Sequence, residues 1–371
     1  MKFAYYLLFA LLFACQNTAT DKPDELTSDD YGKFTLHRGT NISHWLSQSK
    51  RRGAERKAFF TEDDVDYLAG LGFDHLRIPI DEEQMFDEAG KPEPEAFALL
   101  TNALDWCQQE GLRAIVDLHI LRSHHFNEDD KPLWTEPAAQ EKFMDLWRVL
   151  SDSLNSYPTG MVAYELMNEP VADDPEDWNQ LVARAVAVIR EREPERVIVI
   201  GSNEWQHTDT FDVLKVPEND PNILLSFHFY KPFLLTHYQA SWTNIANYTG
   251  PVHYPGPIVT EEEFAQLPDT LKAYAEERMQ TYHRDSLEKM MALPIQVAKE
   301  LNLPLYCGEW GVITSAPQED RLRWYQDMVD IFEENGIAYA KWDYKSGSFG
   351  LVTGEGEPNE ELVEIISSGS P

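Results

Sequence analysis

The stretch Met161-Val162-Ala163-Tyr164-Glu165-Leu166-Met167-Asn168-Glu169-Pro170 reads as an apolar run that ends in a carboxylate. Much further along, Leu303-Pro304-Leu305-Tyr306-Cys307 leads in the same way into Gly308-Glu309-Trp310-Gly311. A short apolar run bounded by turn residues is the pattern of a strand buried on both faces, as the strands of a parallel sheet are. An acid at the C-terminal tip of such a strand lies on the face where an α/β barrel assembles its active site. The competing reading makes Glu169 and Glu309 two solvated loop acids among the 64 Asp and Glu of the chain. Their matched settings favour the first.

On either side of these runs, apolar segments alternate with amphipathic ones. Strands are expected at 34–39, 75–80, 113–118, 161–167, 197–201, 223–229, 304–308 and 338–342. Helices are expected at 62–71, 95–110, 138–154, 175–191, 285–301 and 320–335, the first announced by Thr61-Glu62-Asp63-Asp64, an N-cap followed by acids. Eight strands with helices between them predict a closed parallel barrel, a (β/α)8 TIM barrel forming one domain over residues 34–367. A doubly wound open sheet is the structural alternative, but no glycine-rich phosphate loop follows any of the strands. The alternation lapses between residues 229 and 285, a stretch rich in Tyr, Trp, His and Pro. It is expected to be a long loop after the sixth strand, covering the same face as Glu169 and Glu309.

The chain has 371 residues, 43% of them hydrophobic, enough for one large core. Its formal net charge of −33 argues against nucleic acid, whose phosphates require clustered Lys and Arg. The acidity fits a self-repelling monomer whose partners are neutral, or one working in salty surroundings. At the N-terminus, Lys2 precedes an apolar run over residues 3–14, too short for a mature membrane span. The run ends in Leu12-Phe13-Ala14-Cys15, which resembles a bacterial lipoprotein signal in which Cys15 is acylated and becomes the new N-terminus. Phe13 departs from the small residue usual there, which keeps an ordinary secretory signal as the rival. Residues 16–33 read as an acidic tether. The expected location is therefore outside the cytoplasm, with the outer membrane or cell surface reached through the lipid alone. Cys107 and Cys307 read as small core hydrophobes and give no disulfide framework.

The strand ends carry a consistent polar set: Arg77-Ile78-Pro79, Asp117-Leu118-His119, Asn168-Glu169, His228-Phe229-Tyr230, Glu309 and Trp342. Taken in order with Arg38-Gly39-Thr40-Asn41-Ile42-Ser43-His44-Trp45 at the first strand, they strongly resemble glycoside hydrolase family 5, the cellulase-like family of retaining (β/α)8 glycosidases. The resemblance covers residues 34 to 366. It implies that Glu169 is the acid/base and Glu309 the nucleophile. Asn168 and Arg77 would hold the nucleophile and the sugar 2-hydroxyl. His119, His228 and Tyr230 would line the reacting-sugar subsite, and Trp342 would be the platform beneath that sugar. Two carboxyls are what the chemistry needs, one to protonate the leaving oxygen and one to attack the anomeric carbon. Tyr230 and Arg77 can hydrogen-bond Glu309, and its negative charge is expected to raise the pKa of Glu169.

Exposed indoles suit the flat C–H faces of sugars, and Trp45 and Trp205 are expected to join Trp342 as platforms. Trp134, Trp242 and Trp310 are also placed on the catalytic face, whereas Trp106, Trp147, Trp178 and Trp324 read as helix packing. His124 and His125, near Glu128, Asp129 and Asp130, raise the idea of a metal site, but no metal-hydrolase motif is present. Neither metal nor cofactor is expected. The substrate implied is a β-linked polysaccharide or oligosaccharide, foremost β-1,4-glucan cut internally. β-Mannan, β-1,3- or mixed-linkage glucan and exo-acting β-glucosidase action remain alternatives, as does a surface lipoprotein that binds glycans without cutting them.

Overall fold

Eight of the apolar runs pair in parallel, and the last returns to the first. In the computed structural model, which describes residues 31–345, 347–353 and 356–367, these are β1 (Arg38–Asn41), β2 (His75–Asp81), β3 (Arg113–Ile120), β4 (Val162–Glu165), β5 (Ile198–Gly201), β6 (Ile223–Phe229), β7 (Leu305–Trp310) and β8 (Ala338–Lys341). Each pairs with the next, and β8 closes on β1, so the sheet is a (β/α)8 barrel with no free edge. The signal and acylation site at residues 1–15, and the tether as far as residue 30, lie outside the described residues. Among the described residues no helix is long and apolar enough to cross a membrane.

Helices pack around the barrel where the amphipathic pattern places them. Glu62–Gly70 starts at Thr61 with a capping box closed by Asp64, which satisfies backbone N–H groups that the first turn cannot. Pro137–Leu154 and Pro175–Arg190 begin with proline in the first turn, where its missing N–H costs nothing. Gln318–Asn335 stops at Gly336, whose φ of 64° suits glycine.

Four expectations are corrected. The first strand starts at Arg38, not residue 34; Phe34 instead lies against the barrel floor with Ile115, Val199 and Tyr306. Part of the expected tether also belongs to the fold, because Tyr31 is buried and its hydroxyl donates to the Gln108 carbonyl at 3.1 Å. The helix at 285–301 is two helices, Arg284–Met290 and Ala292–Leu301, broken at Met291. The excursion after β6 is not a structureless loop. It contains Phe233–Thr236, Glu261–Gln266, Asp269–Ala275 and a two-stranded antiparallel pair, Gly256–Pro257 with Thr281–Tyr282. Ile245, Tyr248, Tyr254 and Ile258 are buried within it, so local burial takes the place of the expected open loop.

Side chains inside the barrel form layers, because alternate strand residues face inward. The floor is apolar: Ile115, Ala163, Val199, Leu224, Tyr306 and Ala340. Two residues further along several strands the inward positions turn polar, with Arg77, Asp117, Glu165 and Ser226 all buried. The strand ends above them carry His119, His228, Glu309 and Trp342.

β7 departs from simple alternation. Tyr306 faces the barrel interior and Cys307 the surrounding helices, so Glu309 should face outward. One extra residue breaks the register on both sides: Phe227 pairs with Cys307 but His228 with Glu309, and Tyr339 pairs with Cys307 but Lys341 with Trp310. This bulge at Gly308 turns Glu309 into the mouth and Trp310 out into the core. A Cβ on Gly308 would lie 2.9 Å from Ser226 Oγ and 3.3 Å from His228 Nε2, which is why glycine occupies the bulge.

Candidate active site

The polar layers converge on Arg77, whose guanidinium is fully buried. All five of its N–H donors are used. Nε donates to Glu165 Oε2 at 2.6 Å, Nη1 to Asn41 Oδ1 and Glu309 Oε1, both at 2.8 Å, and Nη2 to Glu165 Oε1 at 3.0 Å and Asn168 Oδ1 at 2.8 Å. Asp117 adds an ion-pair contact at 3.0 Å. A planar fork with fixed angles is suited to this task; an ammonium could not hold so many partners. Burial works against the charge of Arg77, and the surrounding carboxylates overcome it. One cation cannot balance all these acids, so burial pushes Asp117 up to about 7 and raises Glu165 as well.

Glu309 is 5% exposed, with Arg77 on Oε1 and the Tyr230 hydroxyl donating to Oε2 at 3.1 Å. Glu169 leaves the tip of β4 in a left-handed backbone conformation, φ 44°, a strained geometry for a residue with a Cβ. Its Oε1 lies 2.8 Å from His228 Nδ1. Carboxylate oxygens of Glu169 and Glu309 and a ring nitrogen of His228 all lie within 4.8 Å of one another. Burial raises both carboxyls. Glu169 is carried well above the usual range, with the negative charge of Glu309 adding to desolvation. Burial of Glu309 is opposed by Arg77 and by the Tyr230 hydrogen bond. The shared proton therefore resides on Glu169. Burial likewise drives His228 well below its ordinary value, so its imidazole is neutral.

His119 directs both nitrogens to the protein. Nδ1 lies 2.7 Å from Asp117 Oδ2 and Nε2 3.2 Å from Gln48 Nε2, and burial pushes its pKa down to about 3. Its ring stacks on Trp342 with centroids 5.6 Å apart and planes 8° apart, so it fixes the Trp342 indole from one side. Asn168 gives its carbonyl to Arg77 and keeps a buried Nδ2 without a protein partner, a donor aimed for a ligand oxygen.

Above this centre opens a cavity of about 1320 Å³, lined by Glu169, Glu309, His228, Tyr230, Trp342 and Trp205 among others. Trp205 sits in a run of three left-handed residues, Glu204, Trp205 and Gln206, with φ of 56°, 60° and 55°. The turn sends Gln206 inward to Glu165 and the Met167 carbonyl and leaves Trp205 half-buried at the cavity wall. Trp45 is a correction: it is fully buried, its indole N–H donates to the Arg56 carbonyl at 2.9 Å, and its ring packs on Phe60. Trp310 is a second correction, packed outward against Trp324 and Phe332. Trp242, 53% exposed, lines the cavity. His124 is buried and lies 3.1 Å from the Val171 N–H, which it accepts, while His125 lines the cavity.

Asn41 and Asp117 stood in the sequence motifs without a role, and Gln48 and Glu165 were given none, although all four support the centre. The usable signal was a polar residue within an apolar strand, as in Val116-Asp117-Leu118 and Tyr164-Glu165-Leu166. Among the described residues the one group with metal-ligand spacing is Glu169, His228 and Glu309. Arg77 already places a positive charge against Glu309, so this donor set suits a proton-sharing pair better than a cation.

The comparisons with known proteins agree with this geometry. The family model described as Cellulase (glycosyl hydrolase family 5) matches residues 30–348, and the chain belongs to that family. It is a cellulase-type glycoside hydrolase. Endoglucanase C of Acetivibrio thermocellus is 32% identical over 335 residues, spanning 89% of this chain and 97% of the relative. Cellodextrinase A of Ruminococcus flavefaciens is 29% identical over 81% of this chain and 83% of its own length. The crystal structure of cellulose synthase subunit Z from Clostridioides difficile shares the fold, with a TM-score of 0.73, 24% identity, and coverage of 90% of this chain and 99% of that one.

Proposed function

We propose that the chain is an exported, retaining endo-β-1,4-glucanase, with Glu309 as nucleophile and Glu169 as acid/base. The observation that carries the mechanism is the closeness of the carboxylates, which bring one oxygen of each within 4.8 Å of the other. Retaining pairs are about 5–5.5 Å apart, whereas inverting pairs stand about 6.5–9.5 Å apart to admit a water. Glu309 bonds to the anomeric carbon as the bond to the leaving oxygen breaks, and the proton of Glu169 passes to that oxygen. With the aglycone gone, Glu169 takes a proton from water, whose oxygen displaces Glu309. Arg77 and Tyr230 fix Glu309 in line and stabilise its charge whenever it is free.

The large cavity and the relatives named endoglucanase support internal cleavage. A second reading, action on short oligosaccharides, is favoured by the folded excursion after β6, which contributes Trp242 to the cavity wall, and by the relative named cellodextrinase. Product analysis separates them. Endo action on β-1,4-glucan lowers polymer viscosity early, and proton NMR shows the β-anomer first; early release of the α-anomer would exclude retention. Steady release of small sugars without viscosity loss would favour the second reading. Export rests on the N-terminal sequence: labelled palmitate should enter the full-length protein in cells and be lost in Cys15→Ala, and labelling that persists would remove the anchor.

A further inference from the structure

The rim of the cavity next to Trp342 holds a group that the catalytic scheme does not use. His44 follows β1 with φ 56°, a left-handed conformation costing about 1–2 kcal/mol for a residue with a Cβ. Its side chain is 38% exposed and lines the cavity, with its ring centroid 6.4 Å from that of Trp342. The ring is anchored from behind. Ser43 Oγ lies 2.7 Å from His44 Nδ1, and the same hydroxyl donates to Asp343 Oδ2. Ser43 is 2% exposed and Asp343 is fully buried. A hydroxyl has a single proton to give. With that proton on Asp343, Ser43 must accept from His44, so Nδ1 carries the hydrogen and Nε2, on a ring that lines the cavity, is left as the acceptor.

The fold says which part of a substrate meets that lone pair. Glu169 stands at the tip of β4, and the Trp205 N–H donates to the Pro170 carbonyl at 3.3 Å, so Trp205 abuts the group that protonates the leaving oxygen. The leaving sugar therefore lies over β4 and β5. The reacting sugar rests over Trp342, and the rest of the chain must run toward β8, β1 and β2. β1 and β8 are hydrogen-bonded neighbours across the barrel from β4.

We propose that His44, held by Ser43 and Asp343, forms a glycone-side subsite that accepts a hydrogen bond from a hydroxyl of the sugar preceding the reacting one. This deepens the glucanase reading and rests on it: the enzyme selects neutral β-linked chains with at least two sugars on the glycone side. A strained residue at the rim, its ring lining the cavity and anchored through Nδ1, fits a binding role better than a structural one.

The test compares aryl β-glucoside, which fills only the reacting-sugar subsite, with aryl β-cellobioside, which also reaches His44. In His44→Gly the ratio of kcat/KM for cellobioside to that for glucoside should fall about tenfold, through KM rather than kcat. Glycine adopts this backbone conformation without penalty, so the variant should melt at or near the wild-type temperature. Ser43→Ala, which unlocks the ring without removing it, should lower the same ratio by a smaller factor. An unchanged ratio in His44→Gly, or an equal loss on both substrates, overturns the proposal. Failure of the wild-type enzyme on both substrates and on β-glucan would instead refute the glucanase reading, and the subsite would fall with it.

Discussion

The floor and the mouth of the barrel are built by the same eight strands, yet they do opposite things. At the floor, Phe34, Ile115, Ala163, Val199, Leu224 and Ala340 pack around Tyr306, and no carboxylate is among them. A few residues along each strand, Arg77 faces Asp117, Glu165 and Glu309 in a space that is just as dry. Apolar burial stabilises in proportion to area. Burying several acids on one cation does not, and its consequence is seen in the raised pKa values of Asp117, Glu165 and Glu169. The mouth thus holds a proton on Glu169 at a cost that the floor does not carry.

That division can be broken at the mouth first. Glu309→Gln should lower kcat on β-glucan by at least about 10³-fold, as expected when a group acting directly on the reacting bond is lost. Glu169→Gln should be comparably damaged on the natural polymer but much less so on aryl glycosides whose phenol departs without a proton. Turnover of Glu309→Gln near the wild-type level would remove the mechanism.

At the floor the opposite outcome is expected. Ile115→Ala leaves a cavity in the sealed layer and should cost about 2–5 kcal/mol in chemical denaturation, with kcat of the folded enzyme little changed. A large loss of kcat at unchanged stability would show that the two regions are not separable in this way.

The smallest effect concerns Asp81, at the mouth end of β2. Burial raises its carboxyl from 3.8 to about 7, against hydrogen bonds from Ser47 and from the Gln48 N–H, the latter to Oδ2 at 2.6 Å. A carboxyl whose folded pKa is raised stabilises the fold fully below its unfolded pKa, and that contribution is lost as pH rises through the folded value. Stability should therefore fall between about pH 4 and pH 7, with a shallower fall in Asp81→Asn. Urea midpoints measured across that range would decide the matter, parallel curves for the two proteins counting against it.

Much of this was legible in the chain. The alternation of apolar runs and amphipathic helices predicted the barrel, and the polar residues at strand tips named Arg77, His119, Asn168, Glu169, His228, Tyr230, Glu309 and Trp342, all of which meet in one centre. The tryptophans were less legible, because an indole beside a strand end has the same sequence context whether it faces sugar or core. Trp45 is enclosed by Phe60 and the Arg56 carbonyl, whereas Trp242 stays exposed on an excursion whose buried side chains join the main core.

The sequence by itself determined the order of the strands, the apolar floor and the presence of acids at the tips of β4 and β7, since these follow from local periodicity and composition. Only the tertiary structure decided which way those acids point. Simple alternation along β7 would turn Glu309 away from the barrel, and the bulge at Gly308, imposed by pairing with β6 and β8, turns it in. The same holds for His44, whose ring is oriented by Asp343 from the far end of the chain. Local pattern fixes what a residue is beside in sequence; the face it presents and the proton it holds depend on neighbours that only the closed barrel brings together.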